Sequence, residues 1–137
     1  MPNQPEYSVS ITKTYNANPG VIFELFKNNT VFKLTGADMV ENDFIPGGLF
    51  RLTFNNRGVI SGRFIEITSH RITAAWNVTG FEKPDEADTS LQIEITGEDN
   101  HCVFNLNHTH IKFKAAAEAK QRAWTEISDA IEMYLTN

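Results

Sequence analysis

His108 and His110 stand two residues apart in the run HCVFNLNHTH, and Cys102 shares their parity. On an extended strand that spacing puts both imidazoles on one face. Two imidazoles and a thiolate form a ligand set that zinc accepts. The thiol fails on distance, because six residues of strand carry it roughly 20 Å from His108. No carboxylate stands at an obvious third position. The plainer reading makes His108 a polar group at the inner end of a strand and puts His110 near its exit. His101 and Cys102 are neighbours, so on a strand they face opposite sides and do not form a thiol–imidazole pair. No serine sits in a nucleophile elbow. Glu66 becomes a general base only if a bulge turns it inward, and its ordinary place is the solvent side. Tyr15, Tyr134 and Asp43 offer polar groups that nothing around them singles out. The sequence names no catalytic residue, no metal ligand and no cofactor motif, and a binding protein is expected ahead of an enzyme.

Gross composition narrows the classes. The chain has 137 residues, 41% hydrophobic and 21% charged, which is the size and balance of one globular domain spanning residues 1–137. A net charge of −5 argues against nucleic-acid binding, which needs clustered Lys and Arg. The densest basic stretch, Lys112 to Arg122, is interrupted by Glu118 and reads as a solvated helix face. The polar start MPNQPEYSVS lacks the charged and apolar regions of a signal peptide. No apolar run approaches the ~20 residues that span a bilayer. The single cysteine leaves no intrachain disulfide. A cytoplasmic protein is expected, and the Asn-x-Ser/Thr matches at Asn28, Asn77 and Asn107 are then fortuitous.

The elements that must position any site follow from periodicity. Residues 1–6 read as a flexible tail. YSVSITKTYNA alternates as a strand with Tyr7, Val9 and Ile11 inward. Asn18 caps a helix with Pro19 in its first turn and Ile22, Leu25 and Phe26 on one face. Asn28-Asn29 ends it, and a second short helix carries Val31, Phe32 and Leu34 up to Gly36. From Met39 the period changes to two, and about six antiparallel strands are expected. Pro46-Gly47-Gly48 turns the chain into LFRLTF, whose inward residues are Phe50, Leu52 and Phe54. Asn55 to Gly58 is a hairpin turn, and Gly62 in the next strand marks a bulge or bend. ITAAWNV carries Ile72, Ala74, Trp76 and Val78 inward, and TGFEKPDEAD is an exposed loop. TSLQIEIT carries Leu91, Ile93 and Ile95 inward, and the next strand Cys102, Phe104, Leu106, His108 and His110. Residues 115–135 hold no Gly or Pro and form a long amphipathic helix. Its stripe runs through Ala116, Ala123, Ile127, Ala130, Ile131 and Tyr134, widened by Trp124 and Leu135. Glu118, Arg122, Glu126 and Asp129 lie opposite.

One helix covers one face of a sheet, so the other face is expected to be polar. A curved sheet wrapped around a long helix leaves an apolar space between them. Phe32 and Phe44, ahead of the main strands, are expected to line it. From the sheet come Phe50, Leu52, Phe54, Ala74, Trp76, Phe104, Leu106 and His108, and from the helix Trp124, Ile127 and Ile131.

The pieces NPGVIFELF, PGGLFR, SGRFIEITSHRITAAW, VFNLNH and AWTEISDAIEMYL, in that order, carry a family resemblance across about Ser8 to Leu135. The chain resembles the SRPBCC, or START-like helix-grip, superfamily. Within it, the chain is most similar to domains like the C-terminal domain of the ATPase activator of the ninety-kilodalton heat-shock chaperone. The resemblance implies an α+β helix-grip fold, with two short helices after the first strand and a curved antiparallel sheet wrapped around the C-terminal helix. It implies a cavity for an apolar or amphipathic small molecule and a histidine near the end of the late strand. Such domains often carry a Trp after the second helix, where this chain has VFKLTGADM. They often have Gly before the Trp of the last helix, where it has Ala123. Small-molecule binding without a cofactor is the leading expectation, by a monomer or homodimer. The alternatives are an interaction module contacting a chaperone, which in full activators accompanies a further domain, and an enzyme of the cyclase or aromatase type.

Overall fold

The computed structural model describes residues 6–81 and 85–136. Its elements run β1 (Tyr7–Tyr15), α1 (Pro19–Lys27), α2 (Thr30–Leu34), β2 (Met39–Asn42), β3 (Leu49–Phe54), β4 (Gly58–Ile67), β5 (Arg71–Thr79), β6 (Glu86–Glu98), β7 (His101–Ile111) and α3 (Lys114–Thr136). The strands form one antiparallel sheet in the order β1-β7-β6-β5-β4-β3-β2. The first strand is thus hydrogen-bonded to the last, and α3 returns across β1 and β7 and meets α2. This is the α+β helix-grip arrangement expected from the sequence. Among the described residues no helix is long and apolar enough to cross a membrane.

The local devices follow from the residues. Asn18 Oδ1 accepts from the Gly20 amide at 2.8 Å, Pro19 opens α1, and Ile22, Leu25 and Phe26 are buried. Asn28 Oδ1 accepts from the Thr30 amide at 3.0 Å, and Asn29 turns the chain at φ 73°, which launches α2. The outer face of the β1–β7 pair is polar and ordered, with Ser10 Oγ donating to Asn107 Oδ1 at 2.7 Å and Thr12 Oγ1 to Asn105 Oδ1 at 2.8 Å. Phe50, Leu52, Phe54, Ile72, Ala74 and Trp76 all face the core.

Pro46-Gly47-Gly48 does more than reverse the chain. Gly47 has φ +83° and its amide donates to Phe64 O at 2.7 Å, while the Phe64 amide donates to Gly48 O at 2.9 Å. The turn is therefore bonded to the middle of β4. The bulge expected at Gly62 lies instead at Ile65, where the register slips between Phe64 and Glu66. Gly62 stays in register, opposite Phe50 on one side and Trp76 on the other. Its role is space: a Cβ there would lie 1.9 Å from Ala75 O and 2.6 Å from the Phe50 ring.

Other boundaries move for equally local reasons. The exposed loop expected at residues 79–88 is shorter, because β6 starts at Glu86, whose carboxylate is buried; residues 82–84 lie outside the described set. In β7, His110 does not share the inward face. It adopts φ 61° in a bulge opposite β1, points to solvent, and lets Ile111 take the buried position. Along α3 the buried stripe is rotated from the expected one. It runs through Ala116, Ala117, Lys120, Trp124, Ile127, Ser128 and Ile131, with Ala123 and Tyr134 outside it. The expected tail, residues 1–6, falls outside the described residues except for Glu6. Its carboxylate accepts from Lys112 Nζ at 2.7 Å and lies 3.3 Å from His110 Nδ1.

Candidate functional site

Between the first half of α3, the β3–β4 turn and the β5–β6 corner lies a cleft of about 870 Å³. That size matches the pockets that hold small molecules. The interior wall is aromatic, from Trp76 on β5, Trp124 on α3 and Phe54 at the end of β3. Ile60, Val78 and Ile127 widen the apolar surface. At the rim the Arg57 guanidinium stands 5.8 Å from the ring centres of both Phe54 and Phe81. A second concavity of about 610 Å³ lies on the outer face of the sheet and is ringed by charge, including Glu41, Arg51 and Arg63.

Phe54, Trp76, Trp124 and Ile127 are the expected cavity residues that reach the cleft wall. Phe32, Phe44 and Phe50 stand a layer behind it, in a cluster with Phe64. Phe32 stacks on Phe50 at 5.8 Å, Phe50 meets Trp76 at 5.4 Å, and Phe44 meets Phe64 at 5.1 Å. Leu52, Ala74, Phe104, Leu106 and Ile131 pack in the continuous core and do not line the cleft. His108 is fully buried behind the two tryptophans. The alternation that finds inward residues does not separate a wall from the layer behind it.

Four of the buried polar residues, Thr89, His108, Glu86 and Lys120, fall into two sets. In the first, Trp124 Nε1–H donates to His108 Nδ1 at 3.2 Å. Thr89 Oγ1 lies 2.8 Å from His108 Nε2 and donates its own proton to Trp76 O at 2.8 Å. The hydroxyl proton is thereby used, so His108 Nε2 must be the donor to Thr89, and the imidazole is the neutral Nε2–H tautomer. Burial, with the Lys120 charge as a lesser cause, pushes its pKa down from 6.5 to about 3. Both ring nitrogens are occupied by the protein, which leaves none to bind a ligand or move a proton.

The second set is an ion pair. Lys120 Nζ donates to Glu86 Oε2, and both residues are buried and line the cleft. Glu86 Oε1 is buried with no hydrogen-bond partner among the described residues. Sequence reading missed both residues. Glu86 sits in a polar run that reads as a loop. Lys120 did leave a trace: it falls at helical spacing between Ala116 and Trp124, on the stripe that is buried.

The other candidate groups are structural. Glu66 faces solvent beside Arg71, because the Ile65 bulge keeps it on the outer side. Burial raises the pKa of the Cys102 thiol, which suppresses the nucleophilic thiolate. Tyr15 is buried, donates from its hydroxyl to Ser128 O at 2.7 Å, and has its pKa raised mainly by burial.

Comparison with known proteins gives the geometry a context. A family described as activator of Hsp90 ATPase homolog 1-like protein matches residues 16–136. A comparison with curated proteins returned no match. Among solved structures, the HSP90 activator PFC0360w of Plasmodium falciparum is 28% identical, with 94% of this chain and 96% of that one covered and a TM-score of 0.77. CalU16 of Micromonospora echinospora is 19% identical over 93% of this chain and 74% of its own, at 0.72. The Aha1 dimer of Colwellia psychrerythraea is 13% identical over 92% and 93%, also at 0.72. The last two likenesses speak to fold alone.

Proposed function

The chain belongs to the activator of Hsp90 ATPase homolog 1-like family, and from that premise we propose that it binds a small apolar or amphipathic molecule in the cleft beside α3. The supporting observation is the cleft itself: about 870 Å³ with aromatic walls. Trp76 and Trp124 present ring surface without loss of rotamer freedom on binding, because both are already held by the core. The groups that an acid–base mechanism would use are committed elsewhere, His108 to Thr89 and Trp124, and Lys120 to Glu86. Binding is therefore favoured over turnover.

Titration with the uncharged probe N-phenyl-1-naphthylamine tests this reading. Saturable enhancement of probe emission with quenching of tryptophan is the expected result. Ala119→Phe places a ring in the cleft without entering the core and should abolish that signal while leaving the melting temperature in place. Absence of saturable binding in the unsubstituted protein refutes the reading.

A second reading rests on one comparison. The 28% identical chain named as an HSP90 activator is covered almost end to end, so an Hsp90-type chaperone is a candidate partner for a surface of this protein as well. The purified chain added to the chaperone should then raise its ATPase rate in a dose-dependent way. A flat response excludes that reading and leaves the cleft reading untouched.

A further inference from the structure

Glu86 is more than nine-tenths buried and forms part of the cleft wall. One carboxylate oxygen, Oε2, accepts from Lys120 Nζ; the other, Oε1, accepts from no donor among the described residues. A carboxylate is an acceptor with lone pairs on both oxygens, and a buried acceptor left unused carries its desolvation penalty uncompensated. Taking the cleft as the binding site proposed above, we infer that its ligand is a neutral, mainly apolar ring compound bearing a hydroxyl, which donates to Glu86 Oε1.

The charges at the site select among donors. Among the described residues that line the cleft, Glu86 and Glu126 stand against Arg57 and Lys120, so these four charges are formally balanced. Lys120 already answers the Glu86 carboxylate. An ammonium ligand would bring a second positive charge to a buried carboxylate that Lys120 already neutralises, leaving the site with a net charge. A carboxylate ligand would set one negative charge against another at Oε1 and supply no proton to it. A hydroxyl supplies the donor with no net charge, and its hydrogen bond to an ionised acceptor is of the stronger kind. The ring preference follows from Trp76, Trp124 and Phe54, whose rings line the same cleft as Glu86.

Competition against bound N-phenyl-1-naphthylamine tests this with a matched set: 2-naphthol, 2-methylnaphthalene, 2-naphthoate and 2-naphthylmethylamine. In the unsubstituted protein 2-naphthol should displace the probe about tenfold more effectively than 2-methylnaphthalene, the isostere that lacks the donor. The carboxylate and the amine should both be weaker than the naphthol. Replacing the ion pair as a unit, Glu86→Leu with Lys120→Met, removes both buried charges and should erase the naphthol advantage, so that 2-naphthol and 2-methylnaphthalene displace the probe equally. Glu86→Gln keeps an acceptor without the charge and should reduce the advantage without removing it. Equal displacement by naphthol and methylnaphthalene overturns the inference and leaves the apolar cleft standing. So does a naphthol advantage that survives the double replacement, or a naphthoate that binds best. Failure of the probe itself to bind removes the cleft reading and this inference with it. The comparison among ligands in the unsubstituted protein decides the matter even where a variant fails to fold.

Discussion

Trp124 donates to His108 across 3.2 Å, from the closing helix to the last strand. With an N–H aimed at Nδ1, that nitrogen has no room for a proton of its own. Charging the imidazole means breaking this bond in a fully buried site.

The pH dependence of stability follows. The folded pKa is about 3 against an ordinary 6.5, so below pH 6.5 the unfolded chain takes up a proton that the folded chain refuses. The contribution of His108 is complete above that value and erodes as pH falls toward about 3, by about 1.4 kcal/mol per pH unit. Urea unfolding between about pH 5 and 6.5 should show this slope. His108→Phe should flatten it, whatever it does to absolute stability. Glu6, held by Lys112 and His110 below its usual range, loses its contribution in the same direction but only below its own 4.5, outside that window. An unchanged slope in the variant would show that another group carries the effect.

The Glu86–Lys120 pair should be costly to break and cheap to replace. Lys120→Ala leaves a buried carboxylate unmatched and should cost about 3–5 kcal/mol, whereas Glu86→Leu with Lys120→Met should be near neutral. Chemical denaturation of the two variants side by side checks this. Equal losses would mean that the pair acts through packing and not through charge.

Gly62 should tolerate no side chain. An added methyl would meet Ala75 O at 1.9 Å and the Phe50 ring at 2.6 Å, and β4 is held in register on both sides. Gly62→Ala should destabilise by about 1–3 kcal/mol or more through overpacking. Thermal melts of Gly62→Ala and of the half-buried neighbour Ser61→Ala separate this from a general loss of strand propensity.

Tyr15→Phe should cost about 1 kcal/mol. The substitution keeps the ring against Phe104 and deletes only the hydroxyl that donates to Ser128 O. Equilibrium unfolding gives the value, and a loss several times larger would mean that the ring itself has shifted.

The legible part of this protein is what periodicity encodes. Alternation located every strand, and the Asn18-Pro19 start and the unbroken run after Ala115 located the helices that end as α1 and α3. Which inward residue borders the cleft is not periodic. Phe50 and Trp76 have the same parity and face the same way, yet one lies behind the wall and the other forms it. The bulges were misplaced or missed because they answer to distant partners. Ile65 slips where the Gly47-Gly48 turn bonds to Phe64, and His110 turns out where Tyr7 and Val9 meet β7. Glu86 and Lys120 were invisible as a pair because residues far apart in the chain only neutralise each other once the fold brings the start of β6 to α3.

The pairing of the first strand with the last has a consequence in time. Tyr7 to Tyr15 bond to Ile111 through Cys102, and Tyr15 closes onto Ser128. As the chain leaves the ribosome, β1 emerges first and finds its partner only after nearly all the rest has followed. The hairpins from β2 to β7 can zip locally, but the β7 edge stays bare until β1 docks, and α3 lacks its most extensive strand contact before then. Such long closures are slow and leave edges open to other chains while they wait. Pulse-labelled nascent chains should therefore stay protease-sensitive throughout β1 until α3 has cleared the tunnel, and then become resistant in a single step.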